Sequence, residues 1–261
     1  MSAISSRLGL APHACIAVVG AGGKTALCWQ LIQEARQRHQ KVIFTTTTKI
    51  WQPSASVFDV NLTHTSVADT LHALTHQFQN WDSACLMGAA TDWQGNQPIV
   101  HSSMPVVATK RSGIDPADIC ALHTALPEII FIVEADGARN LPLKAPADNE
   151  PVIPACVNIV CVLANLDAIG QPLDERTVHR SERFAQLTGL ALGAPITPEA
   201  LLHLLTHPAG GLKGIPTGAR TIAVLTQRHA TTTHPATALL ASTLIQHGYQ
   251  DAITLSVGFR A

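Results

Sequence analysis

An α/β fold, a doubly wound and mostly parallel sheet, is what this sequence predicts, and three observations carry the prediction. Short apolar runs alternate with helical stretches along the 261 residues. Most of those runs are continuously apolar, the pattern of strands covered by helices on both faces. A glycine-rich turn, Gly20-Ala21-Gly22-Gly23-Lys24-Thr25, joins the first run to the first helical stretch.

The elements follow in order. A strand is predicted over 15–19, and after the turn a helix over 25–38. The second strand, 41–44, leads into Thr45-Thr46-Thr47-Thr48-Lys49, four β-branched residues that suit a strand end better than a helix interior. A helix over 67–78 precedes a strand over 84–87. The stretch 93–110 holds Gly95-Asn96 and Pro98 and predicts a hairpin or small lobe within 90–112. Asp115-Pro116 and Thr197-Pro198 each set a capping side chain before a proline at the first helical position, so helices start at 116 and 198 and run to 125 and 206. The strand over 129–133 ends on two acids. Residues 135–154 contain four prolines and read as an ordered functional loop. Strands over 158–163, 221–225 and 252–256 and helices over 183–190 and 236–247 complete the chain, which reads as one domain, 1–261. The alternation implies right-handed βαβ units.

Composition narrows the function. The chain is 46% hydrophobic and 13% charged, enough to bury a sizeable core. A formal net charge of −1 argues against nucleic acid, which needs a basic stripe. No apolar run reaches the ~18 residues that span a bilayer, so no membrane is expected. Arg7 followed by the apolar stretch to Val19 faintly resembles a leader, but cleavage there would destroy the glycine turn. The cysteines, at 15, 28, 85, 120, 156 and 161, form no C-x-x-C and sit mostly in apolar surroundings. They read as reduced small hydrophobes in a cytoplasmic protein. Cys156 and Cys161, five apart, would face opposite sides of a strand. The thirteen histidines are scattered and suggest no switch.

The glycine turn carries the clearest chemistry. Gly20, Ala21, Gly22 and Gly23 would let backbone N–H groups approach phosphate oxygens, and the following helix turns its positive end toward the anion. Lys24 would meet the β/γ-phosphates and Thr25 would ligate Mg²⁺. The longer motif G-x-x-x-x-G-K-[ST] would need a glycine where Val18 stands, so this is a short variant. An ordinary strand-to-helix turn is the plain alternative. The run ending Val133-Glu134-Ala135-Asp136 resembles a Walker B strand. Its carboxylates would emerge at the same sheet edge, Glu134 with Thr25 on the metal and Asp136 on metal, water or an acceptor. A solvated Asp136-Gly137 turn is the competing reading. Thr47, Thr48 and Lys49 would sense the terminal phosphate. Arg139, Lys144, His179, Arg180 and Lys213 could hold a second, anionic substrate, or could be solvated surface charge. His203 and His207 have the spacing of two zinc ligands, but Leu204 stands where a general-base glutamate would be. Neither Asn165-Leu166-Asp167 nor Thr226-Gln227-Arg228-His229 contains a guanine-reading N-K-x-D, which leaves ATP and GTP both open.

Four blocks occur together: Gly20 to Thr25, Thr45 to Lys49, Glu134-Ala135-Asp136-Gly137-Ala138, and Leu141-Pro142-Leu143-Lys144-Ala145-Pro146 running on to Glu150-Pro151-Val152-Ile153-Pro154. Val178-His179-Arg180 and Gly210-Gly211-Leu212-Lys213-Gly214 follow. Across nearly its whole length the chain resembles the selenium-dependent hydroxylase accessory (YqeC) family, also called selenium cofactor biosynthesis proteins. The resemblance implies a cytoplasmic nucleotide-binding protein with a P-loop NTPase-like site. It also implies a part in maturing molybdenum hydroxylases that carry a labile selenium cofactor. A molybdopterin-type cofactor and such a hydroxylase are then the expected partners beside the nucleotide. Mg-dependent NTP hydrolysis or phosphoryl/nucleotidyl transfer is the leading expectation. A nucleotide-gated cofactor chaperone and, from the short loop, a Mur-ligase-like acyl-phosphate ligase are the alternatives.

Overall fold

The predicted apolar runs pair into one parallel sheet. The computed structural model describes residues 4–77, 80–92, 104–228 and 234–257. In chain order the strands are β1 (Cys15–Gly20), β2 (Val42–Thr46), β3 (Ile50–Pro53), β4 (Val60–Thr63), β5 (Ser83–Met87), β6 (Ala90–Thr91), β7 (Val106–Arg111), β8 (Ile130–Glu134), β9 (Leu143–Lys144), β10 (Ile159–Asn165), β11 (Val178–His179), β12 (Arg220–Gln227) and β13 (Asp251–Ser256). The helices are α1 (Ile4–Leu8), α2 (Lys24–Gln37), α3 (Val67–His72), α4 (Pro116–Ala125), α5 (Ser181–Thr188), α6 (Pro198–Thr206) and α7 (Thr237–Gln246). Eight strands form the main sheet in the order β13-β12-β10-β1-β8-β2-β5-β4. Every pairing between them is parallel.

Both faces of this sheet are covered, which is why its strands are apolar throughout. Successive side chains of β1 alternate between two cores. Cys15, Ala17 and Val19 pack with Leu122 of α4, Leu201 of α6 and Leu240 of α7. Ile16 and Val18 pack with Leu8 of α1 and Leu27 and Leu31 of α2. All seven residues of β10 are buried, as a central strand requires.

The expected caps are present: Asp115 accepts from the Ala117 N–H at 2.8 Å and Thr197 from the Ala200 N–H at 3.2 Å. Three local expectations differ. The helix expected over 67–78 ends at His72 and passes into a π-turn over Ala73–Gln77, while Phe78 lies outside the described residues. The helix expected at 183 starts at Ser181, where Arg180 adopts a left-handed conformation with φ 64°. β4, only half buried, is an added edge strand whose weak pattern carried no signal.

Part of the expected lobe, including Gly95, Asn96 and Pro98, lies outside the described residues. The rest of that stretch supplies β6 and β7, which pair antiparallel with β3 from outside it in a separate three-stranded sheet, β3-β7-β6. No described helix is long and apolar enough to cross a membrane.

Candidate active site at the carboxyl edge of the sheet

The centre of the sheet fixes the site. β1 lies directly beside β8, with Val18 level with Glu134. The glycine turn after β1 and the acids after β8 therefore leave the sheet at the same point. Ligands in open α/β sheets bind beyond such carboxyl ends.

The turn is built for close approach. Gly20 has φ 92° and Gly22 φ 84°. A Cβ on Gly20 would lie 2.2 Å from the Leu163 carbonyl oxygen, and one on Gly22 would lie 2.4 Å from Asn165 Cβ. Not all six residues of the turn face outward. The Gly20 N–H donates to Asp136 Oδ2 at 2.9 Å and the Ala21 N–H to the Leu163 carbonyl at 3.1 Å. Gly22, Gly23, Lys24 and Thr25 line the cleft beyond the sheet. Because α2 begins at Lys24, the N–H groups of its first turn have no partner within the helix.

Lys24 is buried and folds back over the turn. Its Nζ donates to the Gly20 carbonyl at 2.9 Å and stands 3.2 Å from Asp136 Oδ1. Burial alone would lower its pKa, but Asp136 and then Glu134 more than offset this and hold the ammonium above its ordinary range. Thr25 Oγ1 donates to Glu134 Oε2 at 3.1 Å. Burial, against the pull of Lys24, raises the Glu134 carboxyl above the usual range. A hydroxyl and a carboxylate that close are hard oxygen donors of the kind Mg²⁺ takes alongside phosphate oxygens.

Asp136 is placed differently from its neighbour two residues earlier. It lies behind the turn rather than in the cleft, with Lys144 Nζ 2.9 Å from Oδ2 and Lys24 near Oδ1. Lys144 also donates to the Gly137 carbonyl and to Glu150 Oε2, both at 2.7 Å. Glu150 in turn takes a two-pronged contact from Arg180, at 3.0 and 3.1 Å. Although burial opposes it, Lys144 and Arg180 push the Glu150 carboxyl down to about 2. Asp136, Lys24, Lys144, Glu150 and Arg180 thus form one continuous chain of charge beneath the loop over 135–154. β9 in that loop pairs with β11, which brings His179 and Arg180 alongside. Burial, then Arg180 and Lys144, lowers His179 to about 4, so its ring is neutral at pH 7.

The cleft has a volume of about 1020 Å³. Of the residues expected at a site, it brings together Gly22, Gly23, Lys24, Thr25, Lys49, Glu134, Arg139, His179 and Arg180. Its wall includes neither Thr47 nor Thr48. Thr47 donates its hydroxyl to the Val152 carbonyl at 2.7 Å, and the Thr48 N–H bonds Thr46 Oγ1 at 3.0 Å. Lys213 lies away from the cleft and clamps the carbonyls of Ala147 and Asp148. Lys144 and Lys213 therefore hold the loop, whereas Arg139 stands exposed on it with φ 51°.

Sequence reasoning gave Glu150 no role at the site and did not single out the far wall of the cleft. That wall is Trp51 of β3, Met104, and Val106 and Lys110 of β7. Lys110 lies over the Trp51 ring at 5.0 Å. Burial, then Lys49 and Arg139, lowers its pKa. Lys24, Lys49, Lys110, Arg139, Arg176, Arg180 and Arg228 line the cleft against Glu134, Glu150 and Asp167, seven cations to three anions. On a chain of net charge −1, that concentrates positive potential where a polyanion would sit.

Among the described residues no cluster of three or more His, Cys, Asp or Glu is arranged to hold a metal ion. The sequence model of the family described as YqeC protein matches residues 16–182. The chain is similar to the Escherichia coli (strain K12) protein YqeC, 31% identical over 213 residues, which is 79% of this chain and 73% of that relative. No solved structure matches the chain.

Proposed function

The chain belongs to the YqeC protein family, and from that premise we propose that it binds a nucleoside triphosphate with Mg²⁺ at the carboxyl edge of its sheet. Its work there would be hydrolysis or phosphoryl/nucleotidyl transfer in the service of selenium cofactor biosynthesis and molybdenum hydroxylase maturation. The observation that carries the reading is the joint placement of Lys24 over the glycine turn and Thr25 against Glu134 at the mouth of one cleft.

In this reading the first-turn N–H groups of α2, with Gly22 and Gly23, hold the phosphates. Lys24 leaves the Gly20 carbonyl to meet them, and Asp136 keeps its ammonium charged and aimed. Thr25 and Glu134 would hold the ion, which would supply charge neutralisation to the phosphates. Lys49 and Arg139 lie near enough to Lys110 to lower its pKa, a repulsion that an anion among them would relieve. They and Arg180 would bind the second, phosphate-bearing partner, with neutral His179 as a hydrogen-bonding group.

The test is titration of ATP and GTP, with Mg²⁺, into wild type and Lys24→Ala. Loss of one charged contact predicts affinity lower by about 10- to 100-fold. Equal and poor binding of both nucleotides by both proteins would end the reading.

One observation favours a second reading, a nucleotide-gated cofactor chaperone with little turnover. Asp136, the residue expected to position water, is committed to Lys24, Lys144 and the Gly20 N–H. Phosphate release with and without a partner hydroxylase separates the two, since a chaperone binds stoichiometrically and does not turn over repeatedly.

A further inference from the structure

At the opposite, amino-terminal edge of the sheet, three cysteines and a histidine meet from three separate segments. Cys15 opens β1, Cys120 and His123 lie on α4, and Cys156 lies in the turn before β10. Cys15 Sγ and Cys156 Sγ are 4.0 Å apart. The Cys156 N–H donates to Cys120 Sγ at 3.1 Å. Asn158 braces the pair, accepting from the Cys15 N–H at 3.0 Å and donating to the His13 carbonyl at 3.1 Å. His123 is held between His13, stacked at 4.3 Å, and the edge-on ring of Phe131 at 5.4 Å. Its Nε2 donates to the His13 carbonyl at 3.1 Å.

Accessibility divides the roles. Cys15 is fully buried, while Cys156 and Cys120 are partly exposed. None of these residues borders the nucleotide cleft. Among the described residues no group of three or more His, Cys, Asp or Glu is placed to hold a metal ion. A partly exposed sulfur over a buried one, beside an oriented imidazole, is the arrangement of an attacking and a resolving thiol.

We propose that Cys156, Cys15 and His123 form a thiol redox site that reduces a hydroperoxide. The Cys156 thiolate attacks the terminal oxygen of the hydroperoxide. An S–O bond forms, the O–O bond breaks, and the departing alkoxide takes a proton from the His123 imidazolium. The products are Cys156 sulfenic acid and an alcohol, or water when the oxidant is hydrogen peroxide. Cys15 Sγ then attacks the Cys156 sulfur. The S–S bond forms, the S–O bond breaks, and the hydroxide leaves as water with the Cys15 proton. Two electrons pass from the two sulfurs to the peroxide, and an external thiol restores the pair.

The local electrostatics agree. A hydrogen bond from Cys15 outweighs burial and, with His123 and Cys120, holds the Cys156 thiol well below its ordinary range. The interaction with Cys156 raises His123 against the effect of burial. The ionisable groups facing Cys156 are Cys15 from β1 and Cys120 and His123 from α4.

The experiment uses the reduced full chain, hydrogen peroxide and peptide mass spectrometry. The expected product is a Cys15–Cys156 disulfide, and in Cys15→Ser a sulfenic acid at Cys156 that dimedone traps. Iodoacetamide labelling needs no variant. Between pH 6 and 8 the rate at Cys156 should change less than about twofold, where a thiol of ordinary pKa gains roughly 80-fold. A Cys156 rate that rises like an ordinary thiol overturns the proposal, and so does oxidation that joins Cys156 to Cys120 or spreads over the other thiols.

Discussion

Asp136→Asn is expected to unfold the protein more readily while it is free of nucleotide and metal. Asp136 is 3% exposed and stands between two lysines that are 5% and 1% exposed. The amide keeps the shape and can still accept from the Gly20 N–H. It withdraws the charge that faces both ammonium groups. Lys144 retains Glu150 and the Gly137 carbonyl. Lys24 is left with the Gly20 carbonyl and, buried, with a pKa drawn downward. Breaking a buried pair costs about 3–5 kcal/mol, and one well-compensated partner puts this case near about 3 kcal/mol. For a chain of this size that is a fall in Tm of roughly 6–12 °C. Urea unfolding followed by tryptophan fluorescence, without Mg²⁺, measures it. Lys24→Met in the same background removes the stranded charge, so the double variant should recover about 2 kcal/mol relative to the sum of the singles. A single-variant loss below about 1 kcal/mol, or additivity within about 0.5 kcal/mol, would refute the assignment of Asp136 as a support for Lys24. A metal-ligand role predicts the reverse sign, since neutralising one of two adjacent carboxylates relieves repulsion in the metal-free protein.

Gly22→Ala should lower stability by about 2–4 kcal/mol and abolish nucleotide binding, because its Cβ would press on Asn165 and the Pro142 carbonyl at a left-handed φ. Gly137→Ala meets nothing within 4 Å and is the control, expected within about 1 kcal/mol of wild type by urea denaturation. Acid should destabilise the fold in two stages. His179, lowered to about 4, binds its proton more weakly when folded than unfolded, so stability falls as pH drops from about 6.5 to about 4. Glu150, lowered to about 2, supplies stability that is complete above about pH 4.5 and lost as pH falls toward 2. Each stage is of order 2 kcal/mol after allowance for solvent screening. Urea midpoints from pH 7 to 3 should lose the upper stage in His179→Asn and the lower one in Glu150→Gln, and unchanged profiles would sink both assignments.

The legible parts of this protein are those set by residues near one another in the chain. Each continuous apolar run became a strand because helices cover both faces, and the caps at Asp115 and Thr197 act within three residues. The Gly20–Thr25 turn and the acids after β8 were legible for the same reason. Their meeting was an inference from sheet class, and it rests on β8, inserted between β1 and β2, being the direct neighbour of β1. What escaped was set by long-range pairing. β3 and β7 are more than fifty residues apart, so no periodicity announces that Trp51 and Lys110 share a wall. Glu150 and Arg180 lie 30 residues apart in segments that look like loops. Asp136 was read as a partner of metal, water or an acceptor; that Lys144 arrives behind it was not legible, because it depends on β9 pairing with β11.

That pairing also divides the basic residues that sequence alone could not tell apart. Lys144 and Lys213 spend their charge inside the loop over 135–154, on Asp136, Glu150 and main-chain carbonyls. Arg139, Lys49 and Arg180 line the cleft. The loop over 135–154 carries one exposed cation, Arg139, at the cleft. The buried network of Asp136, Lys144 and Glu150 fastens the loop from beneath. The same network reaches Lys24 through Asp136. If the proposed nucleotide site is filled and Lys24 is drawn toward phosphate, one end of the chain of charge whose other end positions Arg180 is weakened, and the two proposed ligand positions would be coupled through residues that need touch neither ligand.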